Sequence, residues 1–492
     1  MTGILAIDAG TTGVTALLVD ETGAVTSRGY QEFAQHYPRP GWVEHQPDEI
    51  WTAATEAAAK ALQGQLAPVA VGITNQRETA VLWDRTTLRA ARPAIVWQDR
   101  RSSEICARMR ADGNEEELAS RTGLRLDPYF TGTKLRWIAD NEPQVWEGVR
   151  DGSVAIGTVD SYLVARMTAG REHVTDPSNA SRTLLHALGS DGWDDDLAGL
   201  FGVPVQALPE IRPNNAAFGV TDPGAFLGLQ IPITGMAGDQ QAALFGQACF
   251  SPGESKCTYG TGSFVLINTG GYAVRSSEGL LTTVAWDIGA GPVYALEGAV
   301  FVTGAAVQGL RDGLGIIDSA ADIEALAAGV PDSGGVVFVP ALTGLGAPHW
   351  DPEARGTILG ITRGTTAAHL ARATLDAIAF QVRDVVEAMT RAAALPLATL
   401  SVDGGASSNN LLCQLQADQL GVPVRRPRAI ESTGLGAAFL AGLGAGIWSS
   451  VDELRSSWQL DREFAPDPAA DRSDAYQRWQ KAVERSRGWF AD

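Results

Sequence analysis

Short apolar runs bounded by polar or glycine-containing turns recur along the chain and predict a series of β-strands. Near the amino terminus such runs occupy residues 4–7, 15–19, 69–73, 80–83 and 94–97, and residues 50–62 predict a helix between the second and third runs. Runs at 263–268 and 400–402 predict later strands. Apolar positions at helical spacing predict helices over 369–394, closed by Pro396, and over 434–443. Strands that alternate with helices indicate an α/β fold.

Glycine- and threonine-rich turns follow several of these strands. The first is Asp8-Ala9-Gly10-Thr11-Thr12-Gly13, and later turns are Tyr259-Gly260-Thr261-Gly262 and Asp403-Gly404-Gly405-Ala406. Gly10 and Gly13 would let backbone N–H groups approach phosphate oxygens, and Thr11 and Thr12 would add hydroxyl donors. Asp8 could hold Mg²⁺ through water. The alternative for the first turn is a tight β-hairpin in which these residues serve only turn geometry.

Asp239 lies where an apolar strand passes through a glycine turn into a helix. As a helix N-cap it would contribute about 1 kcal/mol to stability. The functional interpretation is that an acid at such a turn in an α/β cleft accepts a proton from a hydroxyl group. With Asp8 near a metal and Asp239 as base, the chain has the minimum parts of a phosphoryl transferase.

Arg77 and Glu78 follow the third strand through Thr74-Asn75-Gln76, which we interpret as a polar turn between two apolar runs. Such a pair is usually solvated at the surface. As a site, the pair offers donors and an acceptor that suit the vicinal hydroxyls of a polyol.

Three aromatic residues could form an apolar wall against the carbon atoms of such a ligand. They are Trp97, Tyr129 and Phe264. Core packing is the alternative for each of them.

Composition limits the class of protein and its partners. A chain of 492 residues, 45% apolar and 19% charged, predicts a globular protein of two to four folding units, and we choose two lobes. We place the boundary in 246–256, which gives lobes 1–247 and 248–492. The net charge of −19 argues against nucleic acid or anionic membrane as partner. The four cysteines are scattered, without the spacing of a zinc site. The sequence shows no signal-like segment and no run of about 18 apolar residues, which indicates a cytoplasmic protein.

Longer motifs resemble the FGGY carbohydrate kinases, and among them the members that act on glycerol. The similarity extends from Ile4 to about Arg487. Its motifs are Tyr129-Phe130-Thr131-Gly132-Thr133-Lys134, Gly72-Ile73-Thr74-Asn75-Gln76-Arg77-Glu78-Thr79, Ala237-Gly238-Asp239-Gln240-Gln241-Ala242-Ala243-Leu244-Phe245-Gly246 and Thr343-Gly344-Leu345-Gly346-Ala347-Pro348. The resemblance implies a two-lobe ATPase fold of the actin/hexokinase (ribonuclease H-like) type with a central cleft. It also implies ATP and Mg²⁺ as cofactors and transfer of the γ-phosphoryl group to glycerol, which gives sn-glycerol 3-phosphate.

The same resemblance assigns roles to individual residues. It implies that glycerol is hydrogen-bonded by Arg77, Glu78, Tyr129, Asp239 and Gln240, with Asp239 as general base and with Trp97 and Phe264 against its carbon atoms. Phosphate contacts are implied for Thr11, Thr12 and Thr261, contacts to the rest of the nucleotide for Gly304, Gln308, Gly405 and Asn409, and the metal position for Asp8. A dimer or tetramer is also implied.

The first turn departs from the usual family motif. Ala9 stands where the family has Gln, Gly13-Val14 replace a pair of serines, and Thr15 replaces an arginine near the transferred phosphates. The segment 222–230 also lacks the Gly/Arg pattern linked to inhibition by fructose 1,6-bisphosphate. The alternatives are therefore a kinase for another small polyol or ketose (erythritol, dihydroxyacetone or xylulose), or a catalytically weak paralogue with a regulatory role.

Overall fold

A computed structural model describes residues 3–470 and 472–490 of the chain. Through residue 246 its strands are β1 (Gly3–Ala9), β2 (Gly13–Asp20), β3 (Val25–Glu32), β4 (Glu44–His45), β5 (Ala70–Asn75), β6 (Val81–Asp84), β7 (Ala94–Ile95), β8 (Val154–Gly157), β9 (Val174–Thr175), β10 (Glu210–Ile211), β11 (Gly219–Val220) and β12 (Pro232–Gly238). Its helices there are α1 (Pro47–Leu62), α2 (Ser103–Ala111), α3 (Glu115–Thr122), α4 (Thr131–Asn141), α5 (Pro143–Asp151), α6 (Val159–Met167), α7 (Pro177–Ala180), α8 (Asp195–Phe201) and α9 (Asp239–Gly246), with a 3₁₀ turn at Val205–Ala207.

The remaining elements follow residue 253. The strands are β13 (Glu254–Tyr259), β14 (Ser263–Gly270), β15 (Leu281–Asp287), β16 (Pro292–Val300), β17 (Val337–Val339), β18 (Thr357–Leu359), β19 (Thr399–Asp403), β20 (Val424–Pro427) and β21 (Leu460–Phe464). The helices are α10 (Gly304–Gln308), α11 (Asp322–Ala328), α12 (Ala367–Ala393), α13 (Asn410–Leu420), α14 (Ser432–Gly444), α15 (Val451–Ser457) and α16 (Asp474–Ser486), with a π turn at Gly309–Gly313 and a 3₁₀ turn at Gly405–Ser408.

The first large sheet has the strand order β11-β12-β5-β1-β2-β3. Strands β1, β2 and β3 pair antiparallel, whereas β1, β5 and β12 run parallel to one another. Their registers place the last residues of three strands side by side, since Asn75 pairs with Ala9 and with Gly238. The segments that leave these strands therefore start from the same edge of the sheet.

The second large sheet repeats this arrangement with the strand order β15-β16-β14-β13-β19-β20-β21. Strands β13 and β14 form an antiparallel pair, and β13 runs parallel to β19. Thr258 pairs with Asp403, so the turns that follow β13 and β19 leave the sheet at one edge. Both sheets thus combine a hairpin with an adjacent parallel strand, as expected if each presents a phosphate-type turn. The division of the chain at residues 247 and 248 stays a prediction.

The predicted strands and helices are present, although the run 94–97 is a strand only over Ala94–Ile95. A more informative difference lies at the end of β5. Thr74 and Asn75 belong to the strand, so our interpretation of them as turn residues was wrong. The Asn75 side chain is fully buried and exchanges hydrogen bonds of 3.0 Å with the Asn179 amide. A polar side chain with such a partner can continue a buried strand.

Helix α12 is the longest helix in the described residues and matches the helix predicted over 369–394. It begins after Thr366, whose side chain and that of His369 form a capping box. Its apolar positions pack into the core beneath the second sheet. No helix in the described part of the chain has an apolar stretch long enough to span a bilayer.

Helices α9 and α14 pack at very close range through glycines. A Cβ atom at Gly436 of α14 would lie 1.8 Å from the carbonyl oxygen of Ala242 in α9, and one at Gly246 of α9 would lie 2.1 Å from the carbonyl oxygen of Ser432. Helix α14 also packs against β1, β5 and β12 of the first sheet. The close packing with α14 therefore holds α9, whose first residue is Asp239, against the first sheet.

Replacing Gly436 with alanine should lower the free energy of unfolding by about 3 kcal/mol, because the new methyl group would overlap the backbone of α9. Chemical denaturation measures this change. The matched control is Gly199→Ala in α8, where a Cβ would meet nothing within 4 Å, and where we expect a gain of up to about 1 kcal/mol from better helix propensity. Equal effects of the two substitutions would contradict close packing at Gly436.

Candidate active site

The first turn is held in place by side chains from elsewhere in the fold. Gln76 Nε2 donates to the Gly10 carbonyl (3.0 Å), and Gln35 Nε2 donates to the Thr11 carbonyl (2.8 Å). Trp97 Nε1 donates to Thr11 Oγ1 over 2.9 Å. Because Thr11 Oγ1 already accepts this bond, its own hydroxyl hydrogen remains available for an incoming oxygen atom. The turn joins an antiparallel pair, so the hairpin description and a phosphate-binding role are compatible.

A buried histidine links the two glutamines behind this turn. His45 Nε2 lies 2.7 Å from Gln35 Oε1, and His45 Nδ1 lies 3.3 Å from Gln76 Nε2. Thr79 Oγ1 donates to Gln76 Oε1 over 2.7 Å. Burial lowers the pKa of His45 to about 4, and the positive charge of His36 acts in the same direction. His45 is therefore neutral near pH 7, and the neutral ring suits an Nε2–H that donates to Gln35 and an Nδ1 that accepts from Gln76.

Asp239 is the first residue of α9, and Gly238 is the N-cap. Our N-cap interpretation of Asp239 was therefore wrong, since the helix begins one residue earlier than the sequence pattern indicates. The carboxylate accepts a bond of 2.7 Å from the Gln240 backbone N–H and lies 3.2 Å from Arg77 Nε. Burial raises the pKa of Asp239 to about 6, although the Arg77 guanidinium opposes the rise. An acid with a pKa in this range can act as a proton acceptor near neutral pH.

Asp8 lies close enough to Asp239 for the two charges to interact. Burial raises the pKa of Asp8 to about 8, and the carboxylates of Asp239 and Glu431 add to the rise. Neighbouring carboxylate groups suit a hard divalent cation such as Mg²⁺. Among residues 3–470 and 472–490, no group of three or more His, Cys, Asp or Glu side chains could form a complete metal site. The protein could therefore hold Mg²⁺ only together with water or phosphate oxygens, which is the usual mode for this ion.

Arg77 and Glu78 are buried, so the surface-pair interpretation was wrong. Both belong to an ion network with Arg182 and Glu297. Arg77 makes two bonds to Glu297, of 2.5 and 3.0 Å, and Arg182 bonds Glu78 over 2.7 Å and Glu297 over 3.0 Å. Despite burial, the adjacent guanidinium groups of Arg182 and Arg77 lower the pKa of Glu297 to about 2. The four charges compensate one another inside the protein, as buried charges require.

Sequence reasoning missed Arg182 and Glu297. Glu297 interrupts the apolar run Tyr294-Ala295-Leu296-Glu297-Gly298-Ala299-Val300, and an isolated acid in such a strand was a usable signal. Arg182 lies in a polar segment after α7 and carries no comparable signal.

The aromatic residues are adjacent to this network. Tyr129 OH accepts from Arg77 Nη2 over 3.3 Å, and the rings of Tyr129 and Trp97 meet edge to face at 5.5 Å. Tyr129, Trp97 and Phe264 are all half-buried, which leaves part of each ring accessible. The core alternative therefore accounts for only part of their surface.

The residues predicted to contact nucleotide lie along the edge of the second sheet. The Gly304 N–H donates to the Gly260 carbonyl (3.0 Å), which places the start of α10 against the turn that contains Thr261. A Cβ at Gly404 would lie 2.5 Å from the Tyr259 carbonyl oxygen, and its φ of 81° favours glycine, so Gly405 is brought close to the same turn. These contacts bring three separate chain segments together.

The remaining nucleotide candidates lie at helix ends. Gln308 is exposed at the end of α10. Asn409 caps α13, where its side chain accepts from the Leu412 N–H over 2.9 Å, so it has a structural role in addition to any ligand contact.

Two of the residues that depart from the family motif, Gly13 and Thr15, lie next to Tyr30 of β3. Thr15 lies between Asp8 and Tyr30 in the sheet register. A Cβ at Gly13 would lie 2.7 Å from the Tyr30 hydroxyl and 2.8 Å from the Gln31 carbonyl oxygen. A serine at position 13, as in the family motif, would therefore displace the Tyr30 side chain and crowd the Gln31 carbonyl.

Comparisons with known proteins agree with this architecture over nearly the whole chain. The N-terminal domain of the FGGY family of carbohydrate kinases matches residues 3–246, and its C-terminal domain matches residues 255–445. The chain is 54% identical to a glycerol kinase of Aromatoleum aromaticum over 100% of both chains, and 53% identical to glycerol kinase 2 of Thermotoga maritima over 99% of both.

A solved structure supports the same assignment at the level of the fold. The glycerol kinase of Plasmodium falciparum, crystallised with ADP, superposes with a TM-score of 0.92 at 36% identity, over 99% of this chain and 98% of that one. The predicted two-lobe α/β kinase fold is thereby confirmed. The chain belongs to the FGGY family of carbohydrate kinases.

Proposed function

We propose that this protein transfers the γ-phosphoryl group of ATP to a terminal hydroxyl of glycerol and forms sn-glycerol 3-phosphate. The observation that carries the proposal is the position of the Asp239 carboxylate, 3.2 Å from Arg77 Nε and next to the buried Glu78. Carboxylates beside amide and guanidinium donors suit the adjacent hydroxyl groups of a small polyol. The curated relatives over the full chain length are glycerol kinases, which supports the same acceptor.

In the proposed reaction, the ends of β5 and β12 in the first sheet place Arg77, Glu78 and Asp239 beside the acceptor. Gln240 donates to the acceptor, Glu78 and Tyr129 line its site beside Arg77, and Trp97 and Phe264 cover its carbon atoms. Asp239 accepts the proton of the attacking hydroxyl as the new oxygen–phosphorus bond forms and the bond from the γ-phosphorus to the ADP oxygen breaks. Fixed orientation of the hydroxyl relative to the phosphate lowers the entropic part of the barrier. Closure around the cleft would exclude water and suppress hydrolysis of ATP.

The phosphates would lie between the two glycine turns. Thr11, Thr12 and Gly13 offer donors from the first sheet and Thr261 from the second, while Gly304, Gln308, Gly405 and Asn409 surround the rest of the nucleotide. Asp8 would hold Mg²⁺, which when bound neutralises negative charge on the phosphate oxygens. Backbone and hydroxyl donors matter here because the net charge of −19 opposes binding of an anion.

We further propose that the protein acts in the cytoplasm as a dimer or tetramer. All four cysteines are free and buried, which suits a reducing compartment. Family resemblance supports this assembly. Size-exclusion chromatography with light scattering, which gives the mass of the particle in solution, tests it.

The proposed activity is tested by coupled ADP release with ATP, Mg²⁺ and a panel of glycerol, dihydroxyacetone, erythritol and xylulose. We expect glycerol to give the highest kcat/KM. A higher kcat/KM with another acceptor would replace glycerol as substrate, and the absence of any acceptor-dependent turnover would favour a regulatory paralogue.

A further inference from the structure

Lys256 is a buried lysine beside Gln240 that neither motif nor spacing singles out. It lies in β13, between Leu266 of β14 and Ser401 of β19 in the sheet register, and its side chain is inaccessible to solvent. Its Nζ donates to Gln240 Oε1 and, over 2.9 Å, to Thr258 Oγ1. A side chain from the second sheet thus contacts the residue that follows Asp239.

The carboxylates around Lys256 oppose the effect of burial on its ammonium group. Burial lowers the pKa of Lys256, and the negative charges of Asp403, Asp239 and Glu297 offset part of that fall. The Asp403 carboxylate is itself buried, with Oδ2 accepting from Gln247 Nε2 over 3.0 Å and with no hydrogen-bond partner for Oδ1 in the described residues. A positive charge nearby compensates this carboxylate.

The contact with Lys256 determines which way the Gln240 amide points. Its oxygen faces the ammonium group, so its Nε2 is directed elsewhere. Reversing the amide would place two donors against each other and lose a charge-assisted hydrogen bond. Among the described residues, no group accepts a hydrogen bond from Gln240 Nε2, and Gln240 is only half-buried. This amide N–H is therefore free in the cleft.

Arg77, in contrast, has its donors directed at protein acceptors. Its Nη1 and Nη2 donate to Glu297, to Gln241 (3.3 Å) and to Tyr129 (3.3 Å), and its Nε faces Asp239. A guanidinium group has five N–H bonds, and each of these contacts occupies one of them. The Gln240 amide is then the readily available donor next to Asp239.

We propose that Lys256 is a positioning residue that fixes the Gln240 amide with Nε2 toward the acceptor, so that the site presents a donor there and acceptors at Glu78 and Asp239. The proposal rests on the proposed function. It implies that the group facing Gln240 must be an oxygen with a free lone pair. It also implies that a residue of the second sheet sets selectivity for the acceptor bound on the first.

The test is a double-mutant cycle measured by ADP release with glycerol. Lys256→Met should raise the KM for glycerol about 10-fold and change the KM for ATP less than 2-fold, because about one hydrogen bond to the acceptor is lost. In the Gln240→Ala background, the same substitution should change the KM for glycerol less than 2-fold, since Lys256 acts through Gln240. Equal effects in both backgrounds, or a matching rise in the KM for ATP, would overturn the proposal.

A second variant tests the polarity without altering Lys256. In Gln240→Glu one carboxylate oxygen can still accept from Lys256, but the other presents an acceptor where the proposal requires a donor. The KM for glycerol should rise at least as much as in Gln240→Ala, and an unchanged KM would overturn the proposal even if Lys256→Met fails to fold. The matched control is Lys481→Met, an exposed lysine of α16, which should leave both KM values unchanged.

Failure of the proposed function gives a different result. If the parent protein does not phosphorylate glycerol, every variant is inactive with it, and the cycle is repeated with the acceptor that the polyol panel identifies. If the parent is active and the two substitutions are independent, only the role of Lys256 is overturned.

Discussion

Asp239→Asn should reduce kcat with glycerol about 1,000-fold while glycerol and ATP still bind. The amide has the shape of the carboxylate and can still accept from the Gln240 N–H, but it cannot take the proton of the attacking hydroxyl. A positioned general base typically contributes about 10²- to 10⁴-fold. Coupled ADP release gives kcat, and titration calorimetry gives the dissociation constants of both substrates.

The matched control for this variant is Asp195→Asn. Asp195 is the first residue of α8, as Asp239 is of α9, but it is exposed and outside the cleft. Its substitution therefore tests the loss of a negative charge at a helix N-terminus. We expect kcat to stay within 2-fold of the parent. A near-normal kcat in Asp239→Asn would remove Asp239 as the base.

Glu297→Gln should lower the free energy of unfolding by about 3 kcal/mol, because it leaves Arg77 and Arg182 buried with too little negative charge. The KM for glycerol should rise as well, since Arg77 loses the partner that orients it. Urea denaturation and steady-state kinetics measure the two effects. The control is Glu463→Gln, which removes an exposed pair with Arg425 and should cost less than about 1 kcal/mol.

The effect of Glu297→Gln on stability should also depend on pH. The pKa of Glu297 falls from 4.5 to about 2 on folding, so its charge stabilises the protein above pH 4.5, and this contribution is lost as pH falls toward 2. The difference between parent and variant should be constant from pH 7 to about 5.5 and smaller by roughly 1 kcal/mol at pH 4. A difference independent of pH would show that Glu297 is not the charged partner of the two arginines.

The sequence predicts the fold, and it also predicts those site residues that stand at the end of an apolar run. Asp8, Arg77 and Asp239 each follow or end an apolar run, and parallel pairing of β1, β5 and β12 brings such positions to one edge. What the pattern cannot show is the partner of each side chain. Burial of the Arg77–Glu78 pair depends on residues about 100 and 220 positions away, and no local periodicity encodes such contacts.

The same limit applies to Lys256 and to Gly13. A lysine in a strand is usually read as a surface residue, and only the pairing of β13 between β14 and β19 shows that its side chain is inside. From the sequence alone, Gly13 shows only that a serine of the family motif is absent. The structure adds the reason, because a Cβ at Gly13 would lie 2.7 Å from the Tyr30 hydroxyl. In both cases the deciding neighbour comes from another strand.

The position of α14 bears on how the two halves of the molecule can separate. This helix comes from residues 432–444 but covers β1, β5 and β12, so the chain leaves the first sheet after α9 and returns to it near the end. A helix from the second half of the chain is therefore part of the first structural half. A protease nick at the exposed Ser251-Pro252 link would leave two fragments held together by the buried seam between α9 and α14. A fragment that stops at residue 247 would lack the cover of its own sheet and should aggregate rather than fold.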